Sequence, residues 1–317
     1  MAALNRDFSR PAVPIPGLHV YDGITFPRIV KASSLDAMKT WQVREDDIFI
    51  VTYPKSGTHW IYEIVNLIVN KGEQANFDRS HMATRPEKTI INGDLRTIQD
   101  NTDAVAASPA GYEIMDSWES PRIISTHMHE RHMPPDAWTK KAKIIYLGRN
   151  PKDVFCSFFE YTLPIMRPEF QDFPNHIKVS LLSDEVMMGT WFDHVLGYEK
   201  RLNDDNFLFV KYEDLQKDLL GEVKKIATFL GRPLSDEIAE KVAHFSTMTE
   251  MRKTYDKIEQ ENPEGNKHTR GFGKLKNLNK GKVGNWKDRM TGDLNALFDE
   301  VYKEKMAGSK LHFEFEI

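Results

Sequence analysis

Four largely apolar runs of strand length punctuate the chain, and most give way to residues spaced as on a helix. Ile48 to Val51 follow two acids and read as a strand buried on both faces. Pro54 and Gly57 break that run. Trp60, Ile61, Ile64, Val65 and Ile68 then recur at helical spacing, predicting a helix over 58–70. Further strands are predicted at 122–126, 143–148 and 206–212. Asn150-Pro151 reads as a cap followed by proline at the first helical position, opening a helix through Val154, Phe155, Phe158 and Phe159. After the last strand come a helix with Val223, Ile226, Ala227 and Leu230, stopped by Gly231, and another capped by Ser235. A helix around 294–302 and an alternating segment over 310–317 close the chain.

Strands alternating with helices predict an α/β fold: one domain over 1–317, with a central parallel sheet flanked by helices. Ligands of such sheets bind beyond the carboxyl ends of the strands, and Lys55, His127, Arg149 and Tyr212 each lie just past a predicted strand. Residues 1–45, with Pro11, Pro14, Pro16, Gly17, Gly23 and Pro27, show no sustained period and read as an irregular arm. Residues 71–120 are mixed and polar, with short helical stretches at best; they read as a mobile wall on the acceptor side.

Composition narrows the class. Mean hydropathy of -0.52 excludes an integral membrane protein. A net charge of -4 argues against nucleic-acid binding. The single cysteine, Cys156, fits a reducing compartment, and the first residues lack the apolar stretch of a secretory signal. The expectation is a soluble cytoplasmic enzyme. Against that acidic background, residues 265–287 carry Lys267, Arg270, Lys274, Lys276, Lys280, Lys282 and Lys287 without an acid, interrupted by Gly271, Gly273, Gly281 and Gly284. They read as a flexible lid over a polyanionic small molecule rather than a merely solvated loop.

The turn holding Lys55, Ser56, Gly57 and Thr58 presents backbone N–H groups and a helix N-terminus, an arrangement that attracts anions. Its lysine precedes its only glycine, so it is not the usual phosphate loop, and an ordinary strand-to-helix turn is the plain alternative. His127, His129 and His132 form H-x-H-x-x-H, which a metal could use, although no fourth ligand cluster is evident and no metal is expected.

With Tyr53-Pro54-Lys55-Ser56-Gly57-Thr58, Arg149-Asn150-Pro151-Lys152-Asp153, Ser157 and Lys280-Gly281, the chain resembles the cytosolic sulfotransferases from about Pro27 onward. Gly189-Thr190-Trp191-Phe192-Asp193-His194 and Tyr212-Glu213-Asp214-Leu215 extend the match. That family transfers the sulfuryl group of 3′-phosphoadenosine 5′-phosphosulfate (PAPS) to small acceptors and releases 3′-phosphoadenosine 5′-phosphate (PAP). The resemblance implies His127 as general base, Lys55 on the leaving phosphate, and Arg149 and Ser157 at the 3′-phosphate, with Ser157 also engaging Lys55. It further implies the amides of Ser56, Gly57, Thr58 and His59 around the phosphosulfate, Trp60 on adenine, and Tyr212, Ser246 and Met248 at the nucleotide. Asn279, Lys280 and Gly281 belong to the basic loop, and Phe158 and Tyr161 to an apolar acceptor pocket suited to a phenol, sterol or amine. On the residues alone, Trp60 reads equally as core, Ser157 as a helix-face hydroxyl bonded to a backbone carbonyl, and Tyr212 as a strand-end tyrosine.

Several positions depart from the family pattern. His59 and Ser125 stand where threonine and lysine are usual, Asn279 where arginine is, Met248 where phenylalanine is, and Asn285 where aspartate is. In the C-terminal dimer motif Lys287 and Thr291 match, but Gly292 and Ala296 do not, which puts homodimerisation through it in doubt. Two readings follow: an active sulfotransferase, or a relative that binds nucleotide and small molecule without turnover.

Overall fold

A computed structural model describes residues 18–74, 79, 81, 84–90, 102–163, 171–183, 186–261 and 282–317. Four parallel strands form the central sheet: β3 (Ile48–Thr52), β4 (Ile123–Thr126), β5 (Lys143–Gly148) and β6 (Phe207–Lys211), in spatial order β4-β3-β5-β6. Ile50 lies opposite Ser125 on one side and Ile145 on the other, so β3 and β5 are interior strands. All five residues of β3 are buried, as an apolar run without alternation requires.

The two faces of the sheet feed two cores. Phe49, Val51, Ile124, Ile144 and Tyr146 face a core that includes Phe155, Trp191, Phe192 and Phe298 from helices Pro151–Thr162, Trp191–Glu199 and Gly292–Lys305. Ile48, Ile50, Ile123, Ile145 and Leu147 face the other, with Ile61, Ile64, Val223, Ile226 and Val242 from helices Thr58–Val69, Leu219–Phe229 and Asp236–Phe245. The caps are those the sequence predicts. Asn150 accepts from the Asp153 N–H, Ser235 from the Ile238 N–H, and Gly231 takes the left-handed φ of +68° that ends a helix.

The N-terminal arm differs from expectation over residues 18–38. It holds an antiparallel hairpin, β1 (Leu18–Tyr21) and β2 (Ile24–Pro27), and a helix, Ala32–Met38. Asp22 and Gly23 both take positive φ, +49° and +73°, the two-residue turn that matches strand twist. The surrounding prolines hid that signal. Tyr212 is not the end of β6 but the first residue of a short helix, Tyr212–Lys217, and the alternating tail forms no strand although Leu311 and Phe313 are buried. Residues 265–281 and 164–170 of the anticipated lid and acceptor wall, with Asn279, Lys280 and Gly281, lie outside the described residues.

Candidate active site

The turn after β3 is set by backbone geometry. Pro54 followed by Lys55 at φ +71° is a type II arrangement, closed by the Ser56 N–H donating to the Tyr53 carbonyl at 3.2 Å. A positive φ at a residue with a side chain is strained and is kept only where the surroundings enforce it. Because the Ser56 amide closes the turn, it does not join the expected anion cradle, which falls to the N–H groups at the start of helix Thr58–Val69. Gly57 itself stands at φ +105°, and a Cβ there would lie 2.9 Å from the Tyr212 ring. Gly57→Ala is therefore expected to lower stability by about 1–3 kcal/mol and to displace Tyr212, readable as a lower melting temperature together with weakened PAP binding.

Arg149, just past β5, bridges this turn to the far end of the chain. Its guanidinium lies over the Tyr212 ring at 4.3 Å, donates to the Lys55 carbonyl at 3.3 Å and reaches the Lys282 carbonyl at 3.4 Å. Asp153 holds residues 284–286 in place, accepting from the Gly284 and Trp286 N–H groups at 3.0 Å each. The end of the basic segment is thus fastened beside Arg149. Glu213, from the second matched motif, accepts from the Asn150 N–H at 2.8 Å and locks β6 to the turn after β5.

His127 follows β4. Its Nδ1 lies 2.7 Å from the Thr52 carbonyl, which can only accept, so Nδ1 carries the proton and Nε2 keeps its lone pair. Burial, and secondarily the Arg85 cation, push its pKa well below the ordinary histidine value, so the ring is neutral near pH 7. The carboxylate of Glu87 clamps the backbone here, accepting from the His127 N–H at 3.0 Å and the Thr126 hydroxyl at 2.9 Å. Behind it, His194 donates from Nε2 to the His127 carbonyl and accepts the Tyr146 hydroxyl on Nδ1. His129 and His132 are committed elsewhere, to the Met188 carbonyl and Asp22. Among the described residues no group of three or more His, Cys, Asp or Glu is arranged to hold a metal ion.

Lys55 lies over the Tyr161 ring at 4.7 Å, and burial, Arg149 and Arg85 bring its pKa down to about 8. His59 is pushed down to about 3 by burial and the same Lys55 and Arg85 charges, so it is a neutral neighbour of the turn. Ser157 is half-buried on helix Pro151–Thr162. Trp60, Tyr212 and Ser246 come together, but mainly with one another: the Trp60 indole N–H donates to the Ser246 carbonyl at 2.8 Å, and its ring meets Tyr212 edge-on at 5.0 Å. The Ser246 hydroxyl donates to the Val242 carbonyl, and Met248 opens helix Met248–Glu261. Phe158 is buried near Tyr53 and His176, whereas Tyr161 is 38 % exposed. Arg85 and Glu87, which no sequence motif singled out, enter the site from the irregular segment 84–90.

Residues 45–310 match the family model of the sulfotransferase domain. The chain belongs to the sulfotransferase family. It is 35% identical over 308 residues to human sulfotransferase 2B1, covering 95% of this chain and 78% of that one. It is 30% identical over 302 residues to a rabbit (Oryctolagus cuniculus) amine sulfotransferase, covering 94% and 93%. Mouse sulfotransferase SULT7A1, solved with PAP, superposes with a TM-score of 0.69 at 31% identity, over 92% of this chain and 96% of the other. Retinol dehydratase with androsterone and PAP shares the fold, with a TM-score of 0.72 at 21% identity over 94% and 92%. Sulfuryl transfer in general is the chemistry of this family. No described helix is long and apolar enough to cross a membrane.

Proposed function

We propose that this chain is a cytoplasmic PAPS-dependent sulfotransferase acting on the hydroxyl or amine of a small, largely apolar acceptor. The observation that carries the reading is His127: neutral, with Nδ1 bound to the Thr52 carbonyl and Nε2 left as base, on the same sheet edge as Lys55 and Arg149. The residues fit a polyanionic nucleotide. Ser56 Oγ and Arg149 Nε are enclosed without a hydrogen-bond partner among the described residues, and buried polar atoms in that state are receptive to an anion.

PAPS, when bound, supplies the sulfuryl group and a phosphate able to carry the departing charge. Gly57, Thr58 and His59 amides and Ser56 Oγ hold its phosphosulfate end. Arg149, with Ser157, suits the 3′-phosphate, because a guanidinium fork matches phosphate oxygens bidentately. Lys55 would neutralise the charge carried by the departing phosphate. His127 Nε2 takes the proton of the attacking hydroxyl or amine. Ser157 is read as steadying Lys55, and Phe158 and Tyr161 as part of the acceptor wall. Self-association through residues 287–296 is not part of this reading, since Gly292 and Ala296 depart from the family's dimer motif.

The test is calorimetric titration of PAP into the purified chain, followed by an acceptor panel with PAPS. PAP is expected to bind with a dissociation constant on the order of micromolar or tighter. Arg149→Ala should weaken binding by about 10–100-fold, the loss of a charged hydrogen-bonding fork. Absent PAP binding would overturn the reading. PAP binding without turnover across phenols, sterols and amines would leave a nucleotide-binding relative instead.

A further inference from the structure

Thr52, the last residue of β3, touches both halves of the site. Its main-chain oxygen takes the His127 Nδ1–H at 2.7 Å, and its hydroxyl lies 3.2 Å from the same nitrogen. The one Nδ1 proton is therefore shared between two oxygens of Thr52, and Oγ1 accepts there. The same hydroxyl lies 2.7 Å from Thr58 Oγ1. Neither hydroxyl has another partner among the described residues. Thr52 is fully buried, so the proton it does not receive from water or chain must be given to Thr58. Thr58 Oγ1 accepts it, and its own proton is left over.

The hydrogen bonds thus run one way, from His127 Nδ1–H to Thr52 Oγ1 and from the Thr52 O–H to Thr58 Oγ1. The free O–H of Thr58 stands on the first residue of helix Thr58–Val69, whose N–H groups are read above as holding phosphosulfate. The place of the His127 ring does not depend on this hydroxyl. The Thr52 carbonyl makes the shorter bond to Nδ1, Glu87 accepts from the His127 N–H at 3.0 Å, and His194 donates to the His127 carbonyl at 3.2 Å. What the hydroxyl adds is a connection.

We propose that Thr52 is a positioning residue that couples the base to the donor site, its hydroxyl passing the charge gained by His127 to the hydrogen bond that Thr58 offers the departing phosphate. This rests on the sulfuryl-transfer reading above. When the acceptor's proton reaches Nε2, the ring becomes a cation and its Nδ1–H a stronger donor. Each hydrogen bond polarises the next, so the Thr58 O–H strengthens in the step in which the phosphate gains charge. No proton moves along the chain. The acceptor's proton stays on Nε2, the electron pair of the broken sulfur–oxygen bond goes to the phosphate, and both hydroxyls keep their hydrogens.

Thr52→Val keeps the carbonyl and the shape, and valine suits a buried strand. It is expected to lower kcat roughly tenfold, the cost of one hydrogen bond to a charged group, with PAP affinity within about twofold of the parent. The imidazolium loses an acceptor, so the acid limb of kcat should move to lower pH. Arg85, His194 and His59, whose charges also reach the ring, and Glu87 on its backbone are the same in parent and variant. Thr52→Ser should keep most of the parent turnover. Once Thr58 is valine the chain is already cut, and Thr52→Val should cost little more. A readout without turnover is the NMR signal of the His127 Nδ1–H. Added PAP should move it downfield in the parent and leave it in place in Thr52→Val.

A signal that ignores PAP in the parent, or moves equally in Thr52→Val, would overturn the coupling. Independent effects of the Thr52 and Thr58 substitutions would do the same. Equal losses in Thr52→Val and Thr52→Ser, with a lowered melting temperature and an unmoved acid limb, would make Thr52 structural. A parent chain that binds no PAP would overturn the sulfuryl-transfer reading itself, and this role with it.

Discussion

Replacing His127 with alanine is expected to lower kcat by about 10³-fold, within the range a positioned general base contributes. PAP affinity should be unaffected, because the tautomer assigned to His127 serves the acceptor's proton and not the nucleotide. The pH dependence adds a second check. The base must be neutral, so activity is lost as pH falls through its pKa. Burial first, and Arg85 second, depress that pKa below the free value of 6.5, so the acid limb of kcat should lie below 6.5. A limb at or above that value, or a variant retaining more than about a tenth of parent turnover, would remove His127 from the role.

Lys55→Ala is expected to raise the barrier by about 2.7–4 kcal/mol, roughly 10²–10³ in kcat, as for loss of one preorganised donor to a developing anion. A thermodynamic signature accompanies it. With a pKa brought down to about 8 by burial and two neighbouring arginines, part of the Lys55 population is neutral at pH 8. An arriving anion raises that pKa, so PAP binding at pH 8 should take up protons, and the measured heat should vary with the ionisation enthalpy of the buffer. At pH 6 the lysine is already charged and this Lys55-linked uptake should vanish, as it should at pH 8 in Lys55→Ala. Unchanged uptake in the variant would assign the proton elsewhere.

Much of this site could be read before folding. β5 was expected at 143–148 and lies at Lys143–Gly148; the Asn150 cap, Pro151 and Gly231 act as their chemistry requires. These signals are local: a buried parallel strand needs an unbroken apolar run, and a helix end needs a particular cap. The convergence of Lys55, His127 and Arg149 followed from one topological rule about parallel sheets. The hairpin at 18–27 was legible too, in Asp22-Gly23, but lay among prolines that suggested irregular chain.

Arg85 and Glu87 were not legible. Segment 84–90 has no period, and it reaches β4 through contacts with Ile29 and Gly111 that are remote in sequence. Gly189 to His194 were matched without a chemical role. Only packing shows His194 fixing the His127 carbonyl, and Gly189 lying so close to His129 that a Cβ would stand 2.7 Å from its ring nitrogen. Nor could the turn motif reveal that the Ser56 amide closes its own turn, or that Trp60 gives its N–H to Ser246.

The sequence by itself determined the four parallel strands, the helices after β3, β5 and β6 and the three groups at the sheet's carboxyl edge, because apolar period, caps and strand ends act over a few residues. Tertiary structure decided which nitrogen of His127 is the base and which carboxylate clamps its backbone. Each of those depends on a hydrogen bond or a charge supplied from a distant part of the chain, and no local pattern encodes it.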